Sequence, residues 1–381
     1  MPTSSSGLAA WTDHSTPQVL EGGNKRFTSI RIRARQRGEY QKHAAEAGRS
    51  ITPQILAALP LTGQLKFPNS PISRFMAEYL PHTGRLHVQY LKFAASLPHP
   101  VQPLEIRSPA WAVLGHAIDY RLRLSLGSGL GDAVAYGVER VGGSDLLPGL
   151  PDPAARAALH RAGVELQNAI RRHLAGTIPL EDADLSRLCV VAASYEGIYR
   201  TGRVQRGSML LHATQETTLG HLTAAVPEYS IEDLARQLTL ADRPFAPYRE
   251  LPAAAKVCGP RFAGSTDLGG ADADFILDGL LLDCKATRQP RSLGPEEIYQ
   301  LAGYLLLDYD DHYRINSLGL YLSRQGGLIT WDVGEFLTAL GARHTLANLR
   351  TLLRHRLRTT PARPGTIAPG QALRTSSGAG R

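Results

Sequence analysis

Apolar residues recur at helical spacing through the first two-thirds of the chain and change to short strand-like runs after about residue 255. Mixed apolar spacing predicts short helices over Ile72–Tyr79 and Leu86–Ser96. The stretch Trp111–Leu126 predicts a longer one, with an acid, Asp119, near its middle. Pro153–Leu174 is alanine-rich and helical, and Leu185–Arg200 is strongly amphipathic, preceded by acids suited to a helix N-terminus. Ile231–Gln237 predicts a further short helix followed by a proline-containing connection. In the last third, Phe275–Leu277 and Leu280–Lys285 are apolar runs separated by Asp278-Gly279, a strong hairpin signal. Ser292–Glu297 then opens a helix, with proline at its start, acids in its first turn and apolar spacing through Ile298, Leu301, Tyr304 and Leu305. Ser317–Leu322 reads as a strand, and Gly326-Gly327 turns into another, Leu328–Trp331. Val333–Arg358 closes as one or two helices. Strands interleaved with helices in this order predict an α/β domain with a mixed sheet.

The two ends have a different composition. Residues 1–50 lack apolar periodicity and carry a basic cluster running from Lys25-Arg26 through Arg31, Arg33, Arg35 and Arg37. Ile30 and Ile32 alternate with arginine there, the pattern of a short strand or of a flexible basic arm. From about Thr359 to Arg381, Pro, Gly, Ser and Arg dominate, the composition of a disordered basic tail. The expected organisation is a basic arm over 1–50, a mainly helical region over 51–250, an α/β core over 251–358 and the tail over 359–381.

The formal charge of +8 over 381 residues suits a polyanionic partner, although arginine can also serve only to solvate a surface. Three cysteines, Cys189, Cys258 and Cys284, lie far apart without C-x-x-C spacing, which argues against a disulfide framework or structural zinc and suits a reducing cytoplasm. The first residues lack a basic segment followed by an apolar stretch, and no apolar run approaches the ~20 residues a span requires, so no membrane association is expected.

Candidate chemistry concentrates in Gly269–Thr287. In a strand, Asp283 and Lys285 point to one face and Cys284 to the other; Asp272 and Asp274 likewise share a face of the preceding strand. Folding at Asp278-Gly279 brings these carboxylates and the lysine to one place. Clustered carboxylates repel one another unless a cation neutralises them, and hard oxygen ligands suit Mg²⁺ or Mn²⁺. Such an ion lowers the pKa of a bound water and offsets charge on a phosphate. A lysine two residues after the aspartate can position or deprotonate that water, or stabilise the phosphorus centre. These are the parts for phosphodiester hydrolysis. No Walker A, G-x-S-x-G or H-E-x-x-H pattern is present, so no nucleotide cofactor is expected. Arg324-Gln325-Gly326-Gly327 reads as a plain hairpin loop or a phosphate contact, and His312 and Arg314 as rim contacts or solvated residues.

Gly269-Gly270, Asp272 and Asp274, the apolar strand ending in Asp283-Cys284-Lys285, and a helix carrying Gln300-Leu301-Ala302-Gly303-Tyr304 together resemble the core of the PD-(D/E)xK nuclease superfamily, nearest its RecB-like branch. The resemblance covers about residues 260–335. It implies a restriction-endonuclease-like mixed sheet flanked by helices, with a largely helical N-terminal region or insertion. It implies that Asp274 and Asp283 bind the metal, that the backbone carbonyl of Cys284 adds a ligand, and that Lys285 works beside them. Asp272 is the competing choice for Asp274. Gln300 and Tyr304, one turn apart, are implied to lie near the metal and contact nucleic acid.

The branch also places an acid or histidine on an earlier helix. Asp119, in Gly115-His116-Ala117-Ile118-Asp119, and Glu196, in the later amphipathic helix, are the two candidates. If Asp119 is the one, residues from about 130 to 245 form a helical insertion. The cysteines for the branch's iron–sulfur cluster are lacking, so none is expected. The leading expectation is therefore a Mg²⁺- or Mn²⁺-dependent nuclease acting on DNA rather than RNA, in repair, mobile-element or anti-phage defence. The alternative is a nucleic-acid-binding or scaffold protein that uses a nuclease-like fold without cleavage; a binding role has no need of clustered carboxylates that repel phosphate.

Overall fold

The computed structural model describes residues 53–103, 109–143 and 146–359. The basic arm and most of the proline-rich tail lie outside the described residues. Within them the protein is α/β, with thirteen α-helices and a five-stranded mixed sheet. The helices are α1 (Pro53–Ala57), α2 (Leu61–Gln64), α3 (Pro71–Tyr79), α4 (Gly84–Ser96), α5 (Trp111–Ser125), α6 (Asp132–Gly143), α7 (Pro153–Leu174), α8 (Asp182–Thr201), α9 (Leu219–Ala224), α10 (Glu228–Arg249), α11 (Pro295–Leu307), α12 (Val333–Ala339) and α13 (Leu346–Thr359). The strands are β1 (Lys256–Cys258), β2 (Phe275–Leu277), β3 (Leu280–Lys285), β4 (Ser317–Leu322) and β5 (Gly327–Asp332), side by side in that order.

The hairpin between β2 and β3 forms as its sequence dictates. Asp278 and Gly279 both have positive φ, 50° and 82°, the pair of left-handed residues that a two-residue turn matched to strand twist requires. Leu277 then pairs with Leu280 and Phe275 with Leu282. β3 and β4 run parallel, joined by α11 as crossover; the other three pairings are antiparallel. α11 starts where expected: Pro295 occupies its first turn, and the Gly294 N–H donates to the Glu297 carboxylate at 2.6 Å.

Alternation along the strands sorts two cores onto the two faces of the sheet. Phe275, Leu277, Leu280, Leu282 and Tyr321 join a core with the buried residues of α5–α8 and α10. Ile276, Leu281, Leu318, Leu320 and Leu322 join a second with α3, α4, α11 and α13. Burying each large side chain contributes about 1.5–3 kcal/mol, so a helical layer on each face follows from the two-sided apolar runs of β3 and β4.

Three local expectations are corrected. The strand carrying the first aspartates begins only at Phe275, so Asp272 and Asp274 precede it; Asp272 makes an isolated bridge to Arg261, and Asp274 lies at a bend. The short helix expected over Ile231–Gln237 is instead the 22-residue α10, which runs through Pro244 and Pro247. Proline removes a donor and crowds the preceding turn, but Ala241 and Phe245 are fully buried, and the Phe245 ring meets those of Phe275 and Tyr321 at 6.0 and 4.8 Å. Tertiary packing outweighs the local penalty. Finally, the Arg324-Gln325-Gly326-Gly327 hairpin loop forms as expected, but its arginine, the alternative phosphate contact, is turned inward. It is fully buried and forms a two-pronged ion pair with Asp233 of α10, at 2.8 and 2.9 Å. Gln237 joins the same network, donating to Asp233 and accepting from Ser323.

Asp233 and Arg324 thus clamp α10 to the β4–β5 turn without access to water. Removing one partner strands the other charge, so Asp233→Ala is expected to destabilise the protein by about 3–5 kcal/mol. Urea denaturation of wild type and variant reads this directly; a loss under about 1 kcal/mol, the range of exposed pairs, contradicts it.

Candidate active site

Crossover topology places a cleft at the carboxyl end of β3, the usual position for ligands in open α/β sheets. Its volume is about 540 Å³, and its walls come from α5, α6, α8, the Gly259–Arg261 and Gly270–Asp274 segments, the end of β3 and α11. Strand alternation separates the groups of Asp283-Cys284-Lys285. Asp283 and Lys285 both reach Gln300 on α11, whereas Cys284 packs against the opposite core.

Gln300 is the hub of this wall. Its Oε1 accepts from Lys285 Nζ at 2.9 Å, and its Nε2 donates to Asp283 Oδ1 at 3.0 Å and to the Tyr304 hydroxyl at 2.7 Å. The Tyr304 hydroxyl donates in turn to the backbone carbonyl of Asp272 at 2.8 Å. Only this orientation of the amide puts oxygen toward the ammonium and nitrogen toward the carboxylate. Lys285 Nζ also lies 2.7 Å from Asp283 Oδ2. Burial pulls the lysine pKa down, but the Asp283 charge outweighs it and holds the ammonium above its ordinary range. The Gln300/Tyr304 pair thus fixes the acid–lysine pair, and Tyr304 is 2 % exposed.

Asp274 is the first aspartate that joins the cluster. Its Oδ2 accepts the backbone N–H of Cys284 at 2.6 Å, which ties the bend before β2 to the end of β3. Burial, then the charges of Asp119 and Asp283, push its carboxyl well above the usual range. Asp272 is exposed, with its carbonyl spent on Tyr304.

The two helix acids differ in what occupies them. Glu196 is saturated: Oε2 accepts from the Tyr120 hydroxyl at 2.8 Å and lies 3.2 Å from His116 Nδ1, and Oε1 accepts from Arg200 at 2.5 Å. Burial pushes its carboxyl up, but His116, Arg200 and Tyr120 together hold it below the ordinary value. Asp119 is half-spent. Oδ2 pairs with Arg123 at 2.7 Å, while Oδ1 is shielded from solvent without a hydrogen-bond partner. Burial raises its pKa, with Arg123 opposing. Arg123 is held where only glycine allows it: Gly259 has φ +65°, and a Cβ there would stand 2.7 Å from Arg123 Nη1.

Hard oxygen donors, an orphaned carboxylate oxygen and a charge imbalance fit a divalent cation here. Asp119, Asp132, Asp272, Asp274, Asp283 and Glu196 line the cleft against four permanent cations, Arg123, Arg200, Arg261 and Lys285. Acidic groups thus outnumber permanent cations in the lining. As placed, the carboxylates are paired with Arg123 and Lys285, and among the described residues no three His, Cys, Asp or Glu side chains group as an ion-holding set. The cysteines are all free thiols. The sequence did not point to Arg123, Arg200 or Tyr120 as cleft residues. Arg123 and Arg200 could have been found one turn after Asp119 and Glu196; Tyr120 is brought to Glu196 by helix packing.

No protein-family model, no curated protein and no solved structure matches the chain. Among the described residues no helix is long and apolar enough to cross a membrane.

Crowded buried carboxylates impose a stability cost that a substitution should relieve. With its folded pKa raised, Asp274 binds its proton more tightly in the folded than in the unfolded state. Its contribution to stability therefore falls as pH rises from below the unfolded value into the raised folded range, and stays lost at neutral pH. Asn at 274 can still accept from Cys284 N–H. Asp274→Asn is expected to raise Tm at pH 7 by roughly 2–4 °C, the shift given by about 1 kcal/mol, with the gain vanishing near pH 3. Millimolar Mn²⁺ should raise the wild-type Tm and leave the variant's nearly unchanged. A Tm lowered by the substitution at pH 7 speaks against the repulsion.

Proposed function

We propose that the protein is a Mg²⁺- or Mn²⁺-dependent nuclease that hydrolyses phosphodiester bonds, with DNA the expected substrate, on a restriction-endonuclease-like core. The observation that carries this reading is the convergence of Asp119, Asp274, Asp283 and Lys285 in one cleft, with Gln300 and Tyr304 locking the acid–lysine pair. The mixed sheet, with its parallel β3–β4 pair bridged by α11, suits that fold.

Asp274 and Asp283 would hold the ion, with Asp119 offering its unpartnered Oδ1; the carbonyl of Cys284 remains part of the proposed ligand set. When bound, the ion supplies a water of lowered pKa and a counter-charge for the phosphate. Lys285, kept as an ammonium by Asp283, donates to the phosphate oxygens or to the attacking water and offsets charge as the phosphorus centre forms its fifth bond. Gln300 keeps Lys285 and Asp283 in register. Tyr304, whose hydroxyl is pushed well up first by burial and then by Asp283 and Asp274, stays protonated as a donor. Glu196, with both oxygens spent, braces α5 against α8 through Tyr120 and His116.

Purified protein incubated with labelled single- and double-stranded DNA and RNA tests the reading, with Mg²⁺, Mn²⁺ or EDTA. Metal-dependent cleavage is expected, and Asp283→Ala and Lys285→Ala should each lower it at least about a hundredfold. Binding without cleavage under every condition would replace catalysis by a binding role.

A further inference from the structure

Two aromatic–arginine stations border the cleft. At the start of α5, the Arg288 guanidinium lies 4.2 Å from the centre of the Trp111 ring. Trp111 is next to Ala112, and Arg288 next to Thr287, both of which line the cleft. The buried Arg324 guanidinium approaches the same ring at 4.9 Å and, clamped by Asp233, fixes the indole in place. Arg288 is exposed and, among the described residues, has no carboxylate partner. On α6 and α8, Tyr136 and Tyr199 both line the cleft, with ring centres 5.4 Å apart and planes inclined by 32°. Arg261 lies 5.5 Å over Tyr136 and donates to its hydroxyl at 2.7 Å.

Aromatic faces beside basic groups are the usual means of gripping unpaired bases, whose π-faces are free only when they are not stacked in a duplex. Both stations border one cleft, so a single strand lying in it can engage them beside the carboxylate cluster. The charges also suit this arrangement. Arg261 and Arg200 are spent on Asp132 and Glu196, which leaves Arg288 as the guanidinium open to a phosphate.

We propose that the cleft takes an unpaired nucleic-acid strand, with bases stacked at Trp111 and at Tyr136–Tyr199 and a phosphate held by Arg288. This rests on the nuclease reading in taking a polynucleotide as the ligand, and it adds the strand state and the residues that sense it.

Full-length protein in Ca²⁺ would be titrated against three labelled probes of equal length: a mixed-sequence single strand, its duplex, and a single strand of abasic sites. The normal single strand is expected to bind on the order of tenfold more tightly than either of the others. Its binding should quench tryptophan fluorescence in the wild type but not in Trp111→Phe, which keeps a stacking ring. Arg288→Gln and the double substitution Tyr136→Ala/Tyr199→Ala should each erode the preference for the normal strand over the abasic one or weaken both single strands, with folding checked by circular dichroism. Equal affinity for normal and abasic strands, duplex bound as tightly as single strand, or a quench that survives Trp111→Phe overturns this inference and leaves the nuclease reading standing. Failure of all three probes to bind removes both.

Discussion

Three carboxylates that repel one another are held in one half-enclosed cleft, and much of the surrounding architecture serves to keep them there. Asp119 arrives on α5 from one helical layer, Asp274 on the bend before β2, and Asp283 at the end of β3. Left alone, such a group would spread toward water. It is restrained by a backbone N–H from Cys284, by guanidinium and ammonium partners, and by an amide that binds the last acid and its lysine together. Burial first, and then neighbouring acids, raises the carboxyls of Asp119 and Asp274 above their ordinary range. Proteins keep such repulsion at sites where it does chemistry and stabilise the fold elsewhere.

The stabilisation elsewhere is visible. The sheet is covered on both faces by apolar layers, and the Asp233–Arg324 pair ties the long proline-bearing helix to the β4–β5 turn. The same arginine approaches Trp111, so a purely structural ion pair also steadies a residue at the mouth of the cleft. Stability and site are coupled through one guanidinium.

What could be read from the sequence was what local chemistry determines. The Asp278-Gly279 turn, the alternation of Asp283 and Lys285 against Cys284, the proline-led start of α11 and the Gln300/Tyr304 turn each depend on neighbours within a few positions. The parts that escaped depend on distant partners. α10 continues through Pro244 and Pro247 because Phe245 is buried against β2 and β4, a fact no window around the prolines contains. The choice between Asp119 and Glu196 could not be made from either helix alone. Both are acids on amphipathic helices, and they differ only in whether His116, Tyr120 and Arg200 have already claimed their oxygens. Arg324, with its glycine-rich surroundings, has the sequence of a solvent-facing turn; its burial is decided by Asp233, many residues earlier.

The scattering of the cleft along the chain has a consequence for its synthesis. α5 leaves the ribosome with its acid well before β3 and α11, which carry the lysine and the amide that locks it. A nascent chain that ends short of β3 and α11 therefore holds no assembled centre. Any cutting activity of the cleft would require α5, β3 and α11 together, so it would arise only once α11 has packed against β3 beside α5.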